Sequence, residues 1–335
     1  MSRQISTRSP GQFAAGVLLV VAASIVFGVA WPAHAQPYPN RPIKLVVPFG
    51  PGGPTDVAAR LAARIIQDGL GQPVVIENRP GAGGATGTRS VAQAEPDGYT
   101  LLLGTVATLA AVPAVQKNAG FDPVKSFAAV SQLTDSATLM IVPPSLPVNS
   151  VGEFIAYAKA NPGKLNFASA GVGNQTHLNG EVFKAKTGLD LVHVPYKSGA
   201  EMLSAVLTEQ VHLTFSDISV ALALIEAGKL KALAVTTPQR WPALPNLPTM
   251  IESGVPDFIS IFWTGVLAPA GTPRDVVDRL NSAIHEGLRS QASLSALARI
   301  GSVPRPRSPQ ELSEYIASEA ARWSAAVKLA GIKPE

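Results

Sequence analysis

Three short stretches bring together residue types suited to holding an anion. The first is Phe49-Gly50-Pro51-Gly52-Gly53-Pro54-Thr55-Asp56, which follows the apolar run Ile43–Val47. Glycines let the backbone approach a ligand, and the free N–H groups of a following helix carry about half a positive charge. A purely architectural role is compatible with this: Gly52-Gly53 makes the turn, Thr55 caps the helix and Asp56 offsets its dipole. A nucleotide-phosphate loop is excluded, because it needs a Lys that this turn lacks. The second stretch is Ala168–Leu178, with Gly171, Gly173, Asn174, Gln175, Thr176 and His177. Its backbone amides and the side chains of Asn174, Gln175 and Thr176 can meet a ligand from the other side. It is not a nucleophile elbow, because Phe167 stands where Gly is required two positions before Ser169. His177 stands alone, which suits a hydrogen-bonding role better than a catalytic base. The third is His193–Ser198, where Tyr196 and Lys197 either face an anionic ligand or simply cover an edge and meet solvent.

A fourth glycine cluster, Asn78–Gly84, resembles a dinucleotide fingerprint only in part. The third glycine is replaced by Thr86, so the stretch is expected to shape a domain edge and not to touch ligand. The histidines lack metal-binding spacing and there is no Cys, so neither a metal nor a cofactor is expected.

The elements that must position these turns alternate strand and helix. Ile43–Val47, Val74–Glu77 and Leu101–Gly104 read as strands. They are separated by a helix carrying Val57, Leu61, Ile65 and Ile66 and by a helix over Thr88–Ala94. This order implies a parallel sheet with right-handed crossovers. Ala128–Gln132 and Thr138–Val142 read as two further strands. A second alternating set follows. It has strands at Leu165–Ala168, Leu191–Val194, Val211–Phe215 and Leu230–Thr236, and helices opened by Ser150/Glu153 and over Gln175–Lys186, Glu201–Thr208 and Ile218–Glu226. After a Pro-rich stretch at 238–257 come a strand at Ile261–Ala268 and helices begun at Thr272-Pro273 and Ser308-Pro309. No linker separates the two sets, so several chain crossings are expected to join them.

The 335 residues are 46% hydrophobic and only 15% charged, which gives enough apolar material for one large domain or two medium ones with real cores and argues against disorder. Arg3 and Arg8, an apolar run over Phe13–Ala30 and Ala33-His34-Ala35 form an export leader, with cleavage expected after Ala35. The leader carries no acidic residue, so its loss lowers the formal charge from +4 to +2. With no basic run, nucleic acid is not an expected partner.

Together these segments resemble the extracytoplasmic solute receptors of tripartite tricarboxylate transporters, the Bug-type receptors. The matching stretches are YPNRPIKLVVPFGPGGPTD, IENRPGAGGATGT, AEPDGYTLLLGT, YAKANPGKLNFASAGVGNQTHLNGEVFKAKTGL, VHVPYKSGA, AGKLKALAVTT and FWTGVLAPAGTP, in order over residues 38–273. The resemblance implies an α/β, two-lobed periplasmic binding protein, each lobe a mostly parallel sheet flanked by helices. Lobe 1 would be 36–137 plus 262–335, and lobe 2 would be 138–261. It implies a monomeric receptor, not an enzyme, that binds a small carboxylate in the cleft and hands it to a two-component membrane permease. The carboxylate would be a di- or tricarboxylate, an acidic amino acid or an aromatic acid. Carried over residue by residue, Phe49, Gly52, Gly53, Thr55 and Asp56 form one lip. Gly171, Gly173, Asn174, Gln175, Thr176 and His177 form the other, with Tyr196 and Lys197 nearby and Thr105 and Ala107 as further contacts. This chain departs from the family at Ser198, often Gly, and at Ser216-Asp217, often Asp-Asn, positions that would read the rest of the ligand. Two rivals are a ligand-presenting sensor and an exported hydrolase or lyase using Asp56, His177 or Ser169.

Overall fold

Strand β1 (Ile43–Val47) is apolar and buried because neighbours cover it on both edges. β2 (Val74–Asn78) and β3 (Thr100–Thr105) both pair with it in parallel. Helix α1 (Pro54–Leu70) and helix α2 (Ala85–Ala92) make the crossovers. The structure is a computed structural model describing residues 2, 4, 38–329, 331 and 332, and residues 39–335 form one compact unit. The expected leader and its cleavage point fall, but for positions 2 and 4, outside the described residues. α1 starts two residues earlier than Thr55 capping would require. Gly53 is its N-cap and Pro54 takes the first helical position, where a fixed φ and a missing N–H cost nothing.

The sequence predicts two strands around residues 128–142, and here the structure differs. β4 (Phe127–Val142) is a single strand of 16 residues. Its polar middle reads as a break, yet that stretch is buried and satisfied. Thr134 meets the Thr264 hydroxyl at 2.8 Å, Asp135 accepts from Gln132 Nε2 at 2.6 Å and from Arg305 Nε at 3.1 Å, and Ser136 meets Ser302 at 2.6 Å. Buried polar groups are tolerated when they are paired in this way.

Up to Ala137, β4 pairs antiparallel with β9 (Ile261–Pro269), which itself pairs with β3. From Thr138 it pairs antiparallel with β7 (Leu213–Asp217) and β8 (Lys231–Val235). β7 in turn lies parallel to β5 (Asn166–Ser169), and β5 lies parallel to β6 (Val192–Pro195). The two-residue strand β10 (Val303–Pro304) edges β4. One strand therefore runs through both halves of the molecule. The return path lies beside it, where Thr236 N–H donates to the Thr138 carbonyl and Ser260 N–H to the Thr236 carbonyl.

Each half has its own core. One gathers Trp263, Leu312, Ile316 and Trp323 around β3, β4 and β9. The other gathers Phe154, Phe167, Phe183, Phe215 and Phe258. The remaining helices are α3 (Val112–Val115), α4 (Val151–Ala160), α5 (Gln175–Thr187), α6 (Gly199–Leu207), α7 (Ile218–Glu226), α8 (Arg274–Arg289), α9 (Gln291–Arg299) and α10 (Pro309–Leu329). α9 was not predicted from the sequence. It is a short helix capped by the Ser290 hydroxyl, which follows directly on α8. No described helix is long and apolar enough to cross a membrane.

Candidate functional site

The first glycine turn is held from beneath. Asp56 is buried and points back into the turn, not out of it. Its Oδ2 accepts from Gly52 N–H at 3.2 Å and from Arg60 Nε at 3.0 Å, and Asn78 Nδ2 reaches its Oδ1 at 3.4 Å. The same Asn78 amide donates to the Phe49 carbonyl at 2.9 Å. Gly52 adopts φ +81°, a conformation that a side chain would strain. Above this scaffold α1 begins at Gly53 with no side chain capping its amides. They remain available to an anion.

The second turn satisfies itself. Asn174 Oδ1 accepts from Thr176 N–H at 2.9 Å, from His177 N–H at 3.1 Å and from the Thr176 hydroxyl at 2.6 Å. That hydroxyl accepts in turn from Ala170 N–H at 2.8 Å. Gln175 Nε2 donates to Ser260 Oγ at 2.8 Å, tying the turn to the chain crossing. His177 Nδ1 accepts from Gly173 N–H at 3.1 Å, and its ring stacks on His193 with centroids 4.1 Å apart. Burial, with the nearby His177 and Lys184 charges adding to it, pulls the His193 pKa down to about 4, so the ring is neutral at neutral pH. Ser169 Oγ lies 2.6 Å from His193 Nε2. Ser169 is fully buried and, among the described residues, no carboxylate is hydrogen-bonded to His193, so this pair lacks both the access and the orienting acid of a hydrolytic triad.

Between the turns lies an inner cavity of about 50 Å³. Four helix N-termini meet at its wall: α1 at Gly53-Pro54, α5 at Asn174-Gln175, α6 at Gly199 and α7 at Asp217. α5 is capped by Asn174, α6 by the Ser198 hydroxyl and α7 by Asp217, so α1 alone among these four has no side-chain cap. None of the lining residues is Lys, Arg or His. The positive potential here comes from backbone dipoles, which favour an anion without an opposing full charge. Phe49, Pro54, Met202 and Phe262 supply the bulky apolar part of the wall.

An outer chamber of about 550 Å³ shares Phe49 and Ala170 with this cavity. It is lined by Pro80–Gly84, Gln116, Gly171, Val172, Tyr196 and Lys197. The Asn78–Gly84 loop, expected to shape an edge, thus forms part of the approach to the cavity. The Asn78–Gly84 loop packs closely on the second turn, and the start of α6 on the first. A methyl group on Gly83 would lie 2.9 Å from the Val172 carbonyl oxygen, and one on Gly199 would lie 3.1 Å from Pro54 Cδ.

Of the residues singled out in the sequence, Phe49, Gly53, Thr55, Ala107, Asn174, Gln175, Thr176, Ser216 and Asp217 line the inner cavity. Gly171, Tyr196 and Lys197 line the outer chamber, which Phe49 also reaches. Gly52, Asp56, Thr105, Gly173 and His177 line neither and act as supports: Thr105, for example, exchanges hydrogen bonds with Thr108. Gly50, Pro54 and Ala170 of the inner wall lie within the stretches singled out, whereas sequence reasoning missed Thr138, Gly199, Met202 and Phe262. Ser198-x-x-Glu201 has capping-box spacing and marks the start of α6 beside Gly199. The Ser198 hydroxyl accepts from Glu201 N–H at 3.2 Å, and Glu201 Oε2 accepts from Lys197 N–H at 3.1 Å. Phe262 and Thr138 reach the cavity through chain pairing alone and leave no local signal. Among the described residues no group of three His, Cys, Asp or Glu side chains is placed to hold a metal ion.

Comparison with known proteins agrees with this architecture. The model of the tripartite tricarboxylate transporter family receptor matches residues 58–332. Protein BugT of Bordetella pertussis is 38% identical over 307 residues, covering 91% of this chain and 94% of that protein. The structure of the periplasmic binding protein BugD superposes with a TM-score of 0.85 at 37% identity, covering 89% of this chain and all of that one. MatC from Rhodopseudomonas palustris, solved with bound malate, superposes at 0.83 with 34% identity, covering 87% of this chain and all of that one. The fold is therefore the two-lobed α/β fold of periplasmic binding proteins, and these neighbours are solute-binding proteins and not enzymes.

Proposed function

Because this chain belongs to the tripartite tricarboxylate transporter receptor family, we propose that it captures a small carboxylate between its lobes in the periplasm and delivers it to a two-component membrane permease. The observation that carries this reading is the uncapped N-terminus of α1, set on a glycine turn against three other helix N-termini in a cavity with no cationic side chain. That arrangement suits a single carboxylate. It is strong enough to select an anion, and without a buried ion pair it allows release. Malate in MatC supports the same chemical class.

In this proposal the amides of Thr55 and Asp56 hold one carboxylate oxygen pair. Asn174, Gln175 and Thr176 close over it, and Phe49, Ala107, Ser216 and Asp217 form the remaining wall. Lobe 1 comprises 36–137 and 262–335, and lobe 2 comprises 138–261. The change of pairing partners on β4 after Ala137 supports that division. Closure is driven by the ligand's greater affinity for the closed arrangement. Export, with removal of residues 1–35, and a monomeric receptor complete the proposal.

The test is thermal melting of protein unfolded and refolded to strip bound ligand, against a panel of small carboxylates with matched amides. An acid at 100 times its Kd should add about 2.7 kcal/mol, a shift of a few degrees, and its amide should add nothing. Equal shifts from acids and amides would refute the carboxylate reading.

A further inference from the structure

The second turn hangs on a titratable acceptor. Gly173 N–H donates to His177 Nδ1 at 3.1 Å. A ring nitrogen that accepts holds a lone pair, so this imidazole is neutral and its proton sits on Nε2. Nε2 faces the Glu181 carboxylate, with Oε1 3.9 Å away. A proton added at Nδ1 would set donor against donor and leave Gly173 N–H without its acceptor. The turn has little room to absorb that. Gly173 sits at φ +77°, and a methyl group on it would lie 2.8 Å from Val115 Cγ2. One residue earlier, the Val172 carbonyl oxygen packs against Gly83. Residues 171–173 are therefore fitted against segments 78–84 and 112–115, which belong to the other lobe in the division proposed above.

The surroundings leave this proton to His177. Its ring stacks on His193 at 4.1 Å, and His193 stacks in turn on Phe167 at 4.9 Å. His193 stays neutral down to about pH 4, so any proton the pair takes up above that value goes to His177. On α5 the charged neighbours are Glu181 and Lys184, whose Nζ lies 3.2 Å from Glu181 Oε1. Among the other elements packed on α5, β5 and segment 107–115 carry no ionisable side chain, and β6 carries only His193. β7 carries Asp217, which is turned towards α7 and caps it. α10 shares with α5 the apolar core that holds Leu178, Trp323 and Val327.

We propose that His177 is a positioning residue for the second turn: only its neutral imidazole holds Gly173 N–H, so protonation loosens the turn and weakens carboxylate binding as the surroundings acidify. The binding half of this statement rests on the carboxylate-receptor reading above. His177 itself lines neither cavity and acts through the backbone of residues 171–173.

Three measurements on the refolded, ligand-stripped protein test this. Long-range proton–nitrogen correlation spectra at pH 7.5 should find the His177 proton on Nε2, and a proton on Nδ1 overturns the inference. Between pH 7.5 and 5.0 the exchange protection of Gly173 N–H should fall about fivefold or more relative to that of Leu178 N–H, which donates to the Asn174 carbonyl. That is the loss expected when a donor is left without its acceptor, and an unchanged ratio overturns the inference. Isothermal titration at both pH values uses malate, citrate, glutamate and benzoate as probes. For those that bind, affinity should fall about fivefold or more further in wild type than in His177→Gln, whose side-chain oxygen accepts from Gly173 N–H without titrating. Asp217 and the probes also titrate in this range, but equally in both proteins, so the ratio removes them. His177→Phe keeps a ring against His193 without the acceptor and should bind weakly at both pH values. Equal pH profiles in wild type and His177→Gln, or a His177→Phe that binds like wild type at pH 7.5, overturn the inference. If a variant fails to fold, the two measurements on wild type decide it. If none of the four probes binds at pH 7.5, the carboxylate reading is what has failed, and the same two measurements still decide whether His177 holds the turn.

Discussion

The two glycine-bearing turns that meet at the cavity look alike in sequence, yet they spend their hydrogen bonds in opposite ways. In the turn before α1 the acidic side chain, Asp56, is folded underneath and leaves the helix amides open. In the turn before α5 the Asn174 side chain covers the amides of Thr176 and His177. One turn therefore leaves backbone dipoles open at the cavity, and the other presents a pre-ordered rim of side chains. Anion selectivity should reside mainly in the first turn, and rigidity and shape in the second.

The sharpest way to break this contrast is Asp56→Ala. It strands Gly52 N–H, leaves the Asn78 amide only the Phe49 carbonyl and frees the turn, so stability should fall by about 1–3 kcal/mol. Carboxylate affinity should fall with it, read by chemical denaturation and by titration of the same preparation. Retained affinity in the variant would show that the turn does not need its support. Next in size is Gly199→Val, which places bulk against Pro54 where the start of α6 meets the first turn. Overpacking of this kind costs about 1–3 kcal/mol. Under the closure proposed above, the Kd should rise about tenfold or more while the melting temperature of free protein moves less than in Asp56→Ala. Asn174→Ala should do the reverse: about 1 kcal/mol lost from the missing cap, with a smaller change in affinity than Asp56→Ala produces. If Asn174→Ala costs more affinity than Asp56→Ala, the assignment of roles to the two turns is inverted.

The smallest effect concerns the rim alone. His193 has a pKa of about 4 in the folded protein against 6.5 ordinarily. Between those values the unfolded chain binds the extra proton, so the native state loses stability as pH falls from about 6.5 towards 4 and keeps its full contribution above that window. His193→Phe should flatten this part of the pH–stability curve relative to wild type. The difference should be under about 1 kcal/mol, because the ring is only partly buried and water screens it.

Much of the scaffold was legible in the chain. Alternation of apolar strands with helical stripes located β1, β2, β3, β5, β6, β7, β8 and β9, because strands covered by a sheet's helices are rich in apolar residues and a covering helix must be apolar on one face. β4 was misread as two strands, because its buried centre is polar. Only the partners that satisfy Thr134, Asp135 and Ser136, brought from as far along the chain as Ser302 and Arg305, make a continuous strand possible there.

The site divides in the same way. The sequence by itself determined that two glycine turns would open two helices, since glycine, proline and capping side chains act within a few residues of where they stand. It could not determine that Asp56 turns inward, that α6 and α7 bring two further N-termini to the same cavity, or that Met202 and Phe262 wall it. Those are contacts between residues far apart in the chain, and only burial against one another decides whether a polar atom is paired at home or left open for a ligand.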